Sequence, residues 1–224
     1  MNVTVLQFPG TNCEYDAQYA FEKLGANVTL VWHKETNLPE NTDLVVIPGG
    51  FSYGDYLRSG AIARFAPIME TVSAYANAGG NVLGICNGFQ ILLEAGLLPG
   101  AMKRNDTLHF ISKYNHLKII NNDNEFLKQL EEGDIVNIPV AHHDGNYFID
   151  EAGLQDLKDN DQILLKYCDE KGNIESLNGS VAQIAGISNK EKNVFGLMPH
   201  PERAIETLLG GDDGVKMFQG FFNK

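Results

Sequence analysis

Short apolar runs alternate with amphipathic stretches through the first part of the chain. The apolar runs predict strands at residues 2–8, 27–32, 43–48 and 81–85, and the amphipathic stretches predict helices at 14–25, 61–80 and 88–95. Pro67 lies inside the second helical stretch and predicts a kink there or a later start. Strands that are apolar at every position are buried on both faces, as in a parallel sheet covered by helices. The pattern therefore predicts an α/β fold with a mostly parallel central sheet.

The second part of the chain is richer in strands than the first. Its apolar runs predict strands at residues 116–120, 134–141, 162–168, 180–188 and 193–199. Two helical patterns, at 151–159 and 213–222, complete this part. Neither an internal repeat nor a stretch with the composition of a linker divides the sequence, so we expect one domain over residues 1–224.

Charge and composition exclude several classes of function. The formal charge is -12 at pH 7, and the acidic residues are spread along the whole chain. Binding to a nucleic-acid backbone requires clustered Lys and Arg, so we expect no nucleic-acid partner. No apolar run is as long as a membrane span, and the first residues lack the pattern of a signal peptide. The cysteines are far apart and odd in number, which argues against a disulfide framework. We therefore expect a cytoplasmic protein that does not bind a membrane.

The segment VLGICNGFQILL (82–93) contains the first candidate for chemistry. Cys86 joins a predicted strand to a predicted helix, with Gly84 and Gly88 two residues before and after it. Such a junction requires a strained turn, and this spacing is that of the G-x-S-x-G nucleophile elbow, with Cys in place of Ser. The N-terminus of the following helix favours a thiolate. The alternative is a small buried cysteine that happens to lie between glycines.

A cysteine nucleophile requires a base and a group that orients the base. In MPHPER (198–203), Pro201 biases His200 toward extended backbone, in which residues two apart point the same way. His200 and Glu202 are then expected to project together, as two members of a triad do. Taken alone, H-x-E is more typical of a surface loop, but beside the elbow it predicts a triad.

A glycine-rich turn follows the predicted strand at 43–48. The sequence P-G-G at 48–50 leaves backbone N–H groups free. We expect the N–H of Gly50 and that of Asn87, directly after the nucleophile, to form an oxyanion hole. Without the other motifs, P-G-G indicates a plain turn at a strand end.

The remaining cysteines and the paired histidines are weaker candidates. Cys13 also lies between a strand and a helix, but it lacks flanking glycines, so we expect a role in packing or at the helix start. Cys168 is expected in the core. His142 and His143 precede Asp144 in a polar loop, but adjacent histidines face opposite ways and no third ligand is evident, so we predict no metal site.

Taken in order, these motifs resemble the class I (triad-type) glutamine amidotransferases. Members of this family hydrolyse the side-chain amide of glutamine with a Cys-His-Glu triad and deliver the ammonia to a synthetase. The resemblance covers nearly the whole chain, in FPGTNC (8–13), IPGGFSYGDYLRSGAIA (47–63), GICNGFQIL (84–92), NDTLHF (105–110), IPVAHHDGNY (138–147), NGSVAQIAGI (178–187) and MPHPER (198–203). It implies a single-domain, flavodoxin-like α/β fold with helices on both faces of the sheet.

The resemblance also implies roles for individual residues. These are the nucleophile, the general acid and base, the group that orients it, two oxyanion donors and two residues that position glutamine. In that order they are Cys86, His200, Glu202, Gly50, Asn87, Gln90 and Phe110. Phe110 belongs to the segment 105–110, which in the family handles the α-amino and α-carboxylate ends of the substrate. The family commonly has A-H-G-E-G where this chain has AHHDG at 141–145.

By the same resemblance, glutamine is the substrate and the chain itself holds no cofactor. Ammonia is then expected to pass to a separate synthetase subunit, which uses ATP and Mg²⁺ and is assisted by a small third subunit. The resemblance further implies that the isolated chain is nearly inactive, because such subunits complete their site on docking.

Three other functions stay open at this stage. One is a glutaminase of the same fold that feeds another synthetase, such as that of vitamin B6, although GDYLRSG (54–60) weighs against it. Another is a freestanding cysteine hydrolase or stress protein, in which a histidine typically follows the nucleophile directly; here Asn87 follows it. The third is a non-catalytic regulatory subunit, which would not require the intact triad.

Overall fold

The computed structural model describes residues 1–222, so the expected domain of 1–224 includes two residues outside the described part. The strands in that part are β1 (Asn2–Gln7), β2 (Asn27–Trp32), β3 (Leu44–Ile47), β4 (Asn81–Ile85), β5 (Ala101–Lys103), β6 (Ile111–Ile119), β7 (Ile135–His142), β8 (Asn146–Phe148), β9 (Ile163–Cys168), β10 (Ile184–Ser188) and β11 (Val194–Leu197). The α-helices are α1 (Glu14–Lys23), α2 (Pro67–Asn77), α3 (Asn87–Glu94), α4 (Glu151–Asp159) and α5 (Asp213–Phe222).

Nine of these strands form one sheet, in the order β2-β1-β3-β4-β11-β10-β9-β6-β7. The strands from β2 to β11 run parallel to one another. The remaining pairings, from β11 to β7, are antiparallel. The predicted α/β fold is confirmed. From the strand-rich second part of the chain, β11 joins the parallel strands, and β10, β9, β6 and β7 form the antiparallel extension of the sheet.

Helices cover both faces of the sheet, as predicted. Successive residues of a strand point to opposite faces. On β11, the ring of Phe195 lies 5.8 Å from that of Phe221 in α5, whereas a Cβ on the next residue, Gly196, would meet Phe89 of α3. The two helices therefore pack on opposite sides of the sheet.

The central strand β3 shows why this part of the sequence is uniformly apolar. All of its residues, Leu44–Ile47, have no exposed side-chain surface. Full burial of a large aliphatic side chain stabilises a fold by about 1.5–3 kcal/mol, so a polar residue here would have to be compensated by hydrogen bonds. Cys168 lies in β9 and is buried, in agreement with the expected core position.

Several parts of the predicted secondary structure differ from the observed one. The strand expected at 180–188 begins only at Ile184, after a 3₁₀ turn at Val181–Gln183. The helix expected at 61–80 begins only at Pro67, after a 3₁₀ turn at Ala63–Phe65, because proline lacks the N–H that an earlier turn would need and is suited to the first helical position. The two-stranded sheet of β5 and β8 was not predicted. Its strands have only three residues each, too few to form a recognisable apolar pattern.

Parallel strands bring the loops after them to one edge of the sheet. Cys13, Gly50, Cys86 and His200 all lie in loops that follow the carboxyl ends of the parallel strands β1, β3, β4 and β11. Residues far apart in sequence thus meet at this edge. None of the helices within residues 1–222 combines the length and the apolar character needed to span a membrane.

Candidate active site

Cys86 joins β4 directly to α3 in a strained conformation. Its backbone angles are φ 51 and ψ -106, in a region that costs a residue with a side chain about 1–3 kcal/mol. The residue is 6% exposed, and its thiol lies at the helix N-terminus, where the helix dipole favours negative charge. The turn predicted from the spacing of the glycines is therefore present.

The two flanking glycines permit close backbone approach. A Cβ at Gly88 would overlap the carbonyl oxygen of Ile47 in β3, and one at Gly84 would lie 2.7 Å from the carbonyl carbon of Gly88. No real Cβ makes contacts this short without a shift of the backbone. Glycine at both positions is thus required for α3 to start directly above β3 and β4.

The imidazole of His200 and the carboxylate of Glu202 form a short, buried hydrogen bond. Nδ1 of His200 lies 2.6 Å from Oε1 of Glu202, and the residues are 2% and 3% exposed. Burial alone lowers the pKa of His200, but the charges of Glu202 and Cys86 outweigh it and hold that pKa well above its usual value. The imidazole of His200 therefore stays protonated beside Cys86.

The backbone that positions this pair differs from the expected extended strand. Residues Pro201–Arg203 form a 3₁₀ turn. His200 lies directly before this turn and has non-helical backbone angles. The extended geometry predicted for H-P-E was wrong because the fixed φ of proline also suits the first position of a helical turn. The expected pairing of His200 with Glu202 is nevertheless present. The backbone N–H of His200 donates to the carbonyl of Pro139 in β7, which fixes the turn on the sheet.

Cys86 and His200 line the same small cavity, of about 130 Å³. Gly49 separates them: a Cβ there would lie 2.7 Å from Cε1 of His200 and 3.4 Å from Cβ of Cys86. Nε2 of His200 has no hydrogen-bond partner among the described residues, and Sγ of Cys86 lies 3.7 Å from the carbonyl oxygen of Ala141. The thiol and the imidazole are therefore neighbours, but no hydrogen bond joins them in this state.

Two backbone N–H groups are available beside the thiol. Within residues 1–222, the N–H of Gly50 makes no backbone hydrogen bond, because the bonds of its antiparallel bridge with Thr11 are donated by the flanking residues Phe51 and Asn12. Asn87 is the first residue of α3, where N–H groups lack a partner within the helix. A Cβ at Gly50, whose φ is +143, would meet the backbone of Thr11 and Asn12. These are the donors expected for an oxyanion hole.

Hydrogen bonds of the Asn87 and Gln90 side chains connect the turn at Cys86 to the loops that contain Ser52 and Asp144. The backbone N–H of Ser52 donates to Oδ1 of Asn87 (3.1 Å), and Nδ2 of Asn87 donates to Oε1 of Gln90 (2.8 Å). Nε2 of Gln90 in turn donates to the carbonyl oxygen of Asp144 (2.6 Å). Gln90 also lines the larger cavity described next, so its amide is held in place at the wall of that cavity.

A larger cavity, of about 410 Å³, also opens at Cys86. Its wall includes Gly50 and Gln90, the loop 51–60 and the 141–144 segment. The loop 51–60 is strained, with positive φ at the non-glycine residues Tyr53, Asp55 and Leu57. Hydrogen bonds hold it in this shape: the N–H of Tyr53 donates to Pro9, and its hydroxyl lies 2.7 Å from Nδ1 of His33.

Phe110 lies at the smaller cavity and not deep in the protein. Its side chain is 49% exposed and lines the cavity that also contains Cys86 and His200. Asn105, in the same segment, is fully buried and donates from Nδ2 to the carbonyl oxygens of His109 and His142. The predicted role of Phe110 in glutamine binding stays a prediction.

Asn105 also determines which ring nitrogen of His142 carries the proton. Because its Nδ2 donates twice, its Oδ1 is the acceptor for Nδ1 of His142 (3.1 Å) and for the N–H of Gly145 (3.1 Å). Burial, with a smaller effect of His200, lowers the pKa of His142 to about 4. The imidazole is thus neutral, with its proton on Nδ1. Its neighbour His143 contacts Oδ1 of Asp144 through Nδ1 (3.0 Å).

The position of Cys13 was only partly predicted. It lies at the start of α1, as expected, but its sulfur also belongs to a group with His200 and Glu202 whose polar atoms lie within 4.8 Å of one another. Nη2 of Arg203 donates to this sulfur (3.0 Å), and Nε of Arg203 donates to Asp16 (2.9 Å). Burial raises the pKa of the Cys13 thiol. One feature of the sequence indicated that Cys13 lies close to His200: Cys13 follows a parallel strand, β1, and the loops after parallel strands meet at the same edge of the sheet.

Comparison with known proteins agrees with this geometry. The sequence model of the CobB/CobQ-like glutamine amidotransferase domain matches residues 1–210. The PurQ subunit of phosphoribosylformylglycinamidine synthase from Sulfurimonas denitrificans is 67% identical, over 99% of both chains. That from Wolinella succinogenes is 62% identical, over 98% of this chain and 99% of the relative.

A solved structure shares the fold as well. A chain in the structure of PurLQS from Thermotoga maritima superposes with a TM-score of 0.89 and 42% identity, over 99% of this chain and 97% of that chain. The chain therefore belongs to the CobB/CobQ-like glutamine amidotransferase family and, within it, to the PurQ subunits of phosphoribosylformylglycinamidine synthase.

Proposed function

We propose that this chain is the glutaminase subunit of a phosphoribosylformylglycinamidine synthase. It hydrolyses glutamine to glutamate and ammonia through a thioester on Cys86. The observation that carries the proposal is the buried 2.6 Å bond between His200 and Glu202, which lies beside a cysteine on a strand-to-helix elbow. The full-length similarity to PurQ subunits supports the assignment to this particular synthase.

The first step is the attack of Cys86 on the carboxamide carbon of glutamine. The raised pKa of His200 keeps the imidazole protonated, and an imidazolium beside the thiol favours the thiolate. The new C–S bond places negative charge on the carbonyl oxygen. The N–H groups of Gly50 and Asn87 are the donors that we assign to that oxygen, and one such donor typically contributes about 10²–10³ in rate.

The second step releases ammonia. The imidazolium of His200 gives its Nε2 proton to the departing nitrogen as the C–N bond breaks, leaving a γ-glutamyl thioester and a neutral imidazole. Nδ1 keeps its proton in the bond to Glu202, which preserves the tautomer with a free lone pair on Nε2. Nε2 then takes a proton from water, and the resulting hydroxide attacks the thioester. Glutamate leaves, and the Cys86–His200 pair is restored.

Ammonia then passes to a second active site on another subunit. In our proposal this is PurL, which uses ATP and Mg²⁺ to convert formylglycinamide ribonucleotide to formylglycinamidine ribonucleotide in de novo purine biosynthesis, together with the small subunit PurS. The similar chain in the PurLQS structure supports this assembly. The present chain needs no cofactor for the glutaminase steps, since its own thiol, imidazole and backbone amides supply them.

Reconstitution with the partner subunits tests the proposal. The chain is mixed with PurL, PurS, ATP, Mg²⁺ and the formyl substrate, and amidine formation is followed with glutamine or with an ammonium salt. We expect the wild type to support both reactions and Cys86→Ala to support only the reaction with ammonium. Amidine formation from glutamine by Cys86→Ala, or none from glutamine by the wild type, would overturn the proposal.

A further inference from the structure

Cys13 is a buried thiol beside the triad that the steps above do not use. Its sulfur, a ring nitrogen of His200 and a carboxylate oxygen of Glu202 all lie within 4.8 Å of one another. The three residues are 2%, 2% and 3% exposed. No metal site was expected here from the sequence, because Cys13 and the H-P-E motif are far apart along the chain and meet only in the fold.

The donor atoms of this group are those that bind zinc. Zinc sites in proteins combine thiolate sulfur, imidazole nitrogen and carboxylate oxygen, usually in a tetrahedral arrangement. Ligand atoms bound to one Zn²⁺ lie roughly 3–4 Å apart, since each is about 2.0–2.3 Å from the metal. The donor atoms of Cys13, His200 and Glu202 therefore need only small shifts to surround one ion. The thiolate favours Zn²⁺ over Mg²⁺ or Ca²⁺, which prefer oxygen ligands.

Two atoms of the group lack a partner for which they are suited. Among residues 1–222, Nε2 of His200 and Oε2 of Glu202 are buried and make no hydrogen bond. Such atoms are unfavourable in a protein interior, and they commonly mark the place of an ion, a water or a ligand. Cys13 and His200 line the small cavity that also contains Cys86, so an ion can reach them from that cavity.

The charges of the group suit a divalent cation. The thiolate of Cys13 and the carboxylate of Glu202 together balance the two positive charges of Zn²⁺. Arg203 is a cation beside them, because its Nη2 donates to Sγ of Cys13 (3.0 Å) and its charge interacts with Glu202. Its Nε donates separately to Asp16 (2.9 Å). The guanidinium can therefore give up its bond to the sulfur and stay paired with Asp16.

We propose that Cys13, His200 and Glu202 form a zinc-binding site whose occupation reversibly inhibits the enzyme. An ion held by His200 and Glu202 prevents the imidazole from giving a proton to ammonia or taking one from water, so both chemical steps stop. Cys13 is the ligand that distinguishes this site from a metal held by the nucleophile alone. Metal binding itself is independent of the proposed glutaminase function, whereas the inhibition rests on that function.

Co²⁺ binding to full-length chains without the nucleophile tests the site. Co²⁺ occupies tetrahedral zinc sites, and a thiolate ligand adds a charge-transfer band in the near ultraviolet. The starting chain is Cys86→Ala, to which Cys13→Ser or the control Cys168→Ser is added; Cys168 is a buried thiol of β9. We expect the band in Cys86→Ala and with the control, its removal by Zn²⁺, and no band with Cys13→Ser. A band that survives Cys13→Ser, or none in Cys86→Ala, would overturn the inference.

The control chain also identifies the ligand without any change at Cys13. The sequence contains three cysteines, so Cys13 is the single thiol left in the chain with both Cys86→Ala and Cys168→Ser. A thiolate band in that chain must come from Cys13. Its absence there would overturn the inference even if Cys13→Ser failed to fold.

Inhibition is measured as glutamate release by the complex of this chain with PurL and PurS. Loss of a group that only orients a metal ligand typically weakens metal binding about 10–100-fold. Loss of the ligand Cys13 should therefore raise the Zn²⁺ concentration for half inhibition at least about 10-fold, relative to the rate of each variant without zinc. Cys168→Ser should respond as the wild type does, and EDTA should restore the rate. Equal inhibition of Cys13→Ser and the wild type would overturn the inference, because the metal would then act at Cys86 alone.

The two measurements separate this inference from the proposed function. If the wild-type complex releases no glutamate, the proposed function fails, and the Co²⁺ spectra still decide whether the site exists. If the wild-type complex releases glutamate but Cys86→Ala shows no thiolate band, the inference fails and the proposed function stands.

Discussion

At the scale of single residues, the chemistry depends on one buried acid–base pair. Glu202 is 3% exposed, and its Oε2 has no hydrogen-bond partner among the described residues. Its one hydrogen bond in this part of the chain is with the imidazole of His200, at 2.6 Å, and the guanidinium of Arg203 also interacts with its charge. A buried carboxylate with a single partner holds the proton of that partner strongly, which agrees with the raised pKa of His200.

Replacement of Glu202 by Gln tests the role of this charge. Without the carboxylate, the pKa of His200 falls, so the imidazolium that supports the Cys86 thiolate is lost at a lower pH. We predict that the basic limb of kcat/KM against pH moves to lower pH and that kcat falls by about 10²–10⁴. The control is Glu206→Gln, which removes a partner of Lys23 and should change neither quantity. A basic limb that stays in place or moves upward would contradict this role.

Some of these residues were predictable from the sequence and others were not. The spacing of glycines around Cys86 and the two-residue step from His200 to Glu202 are local signals, so both were predicted. The proximity of Cys13 to His200, and the unpaired oxygen of Asp55, follow from the meeting of loops after different strands. No local pattern encodes such a meeting, since it depends on the order of strands in the sheet.

At the scale of elements, the elbow depends on the contact between α3 and β3. A single residue, Cys86, separates the end of β4 from the start of α3, and Gly88 lies against the carbonyl oxygen of Ile47. A backbone carbonyl in the middle of a sheet cannot move aside, because its strand is paired on both sides. The glycine therefore stabilises the fold as well as the position of the thiol.

The substitution Gly88→Ala tests whether the fold and the position of the thiol depend on this contact. We predict a loss in the free energy of unfolding of about 1–3 kcal/mol or more, measured by urea denaturation, and a large loss of glutaminase activity because the thiol is displaced. Gly211→Ala is the matched control, since a Cβ there would meet its nearest atom, in Tyr114, only at 3.9 Å. It should change stability by less than about 0.5 kcal/mol. Equal effects of the two substitutions would show that the contact does not matter.

The hydrophobic pattern predicted the limits of some helices and strands more accurately than those of others. The predicted limits of β2, β4, α4 and α5 agree with the observed ones, because each has a clear period and a capping or turn residue at its ends. The pattern from residue 61 overran the start of α2 because residues 61–66, apolar except for Arg64, continue the helical period through a 3₁₀ turn; the later start indicated by Pro67 is observed. In β6, which begins at Ile111, the first residues are largely exposed and polar, so the strand pattern predicted from residue 116 was too short.

At the scale of the whole molecule, the site lies on an open edge of the sheet. Phe51 and Phe110 line the smaller cavity and are 46% and 49% exposed. In this state no hydrogen bond joins Sγ of Cys86 to Nε2 of His200. Coverage of this edge by a partner subunit would exclude water and align the two groups.

The isolated chain should therefore turn over glutamine slowly. We predict that addition of PurL and PurS raises its glutaminase kcat by more than about 10-fold, because docking aligns the thiol with its base. Glutamate release, measured with and without the partners at equal chain concentration, checks this. A free chain as active as the complex would show that the site is already complete.

Catalysis through Cys86 requires a covalent γ-glutamyl intermediate on its sulfur. The most direct measurement is mass spectrometry of the complex, quenched with acid during turnover of glutamine and digested with a protease. We predict a γ-glutamyl group on the peptide that contains Cys86, and its accumulation in His200→Ala only at a greatly reduced rate. A γ-glutamyl group on Cys13, or glutamate release with no adduct on Cys86 even under rapid quenching, would contradict the account.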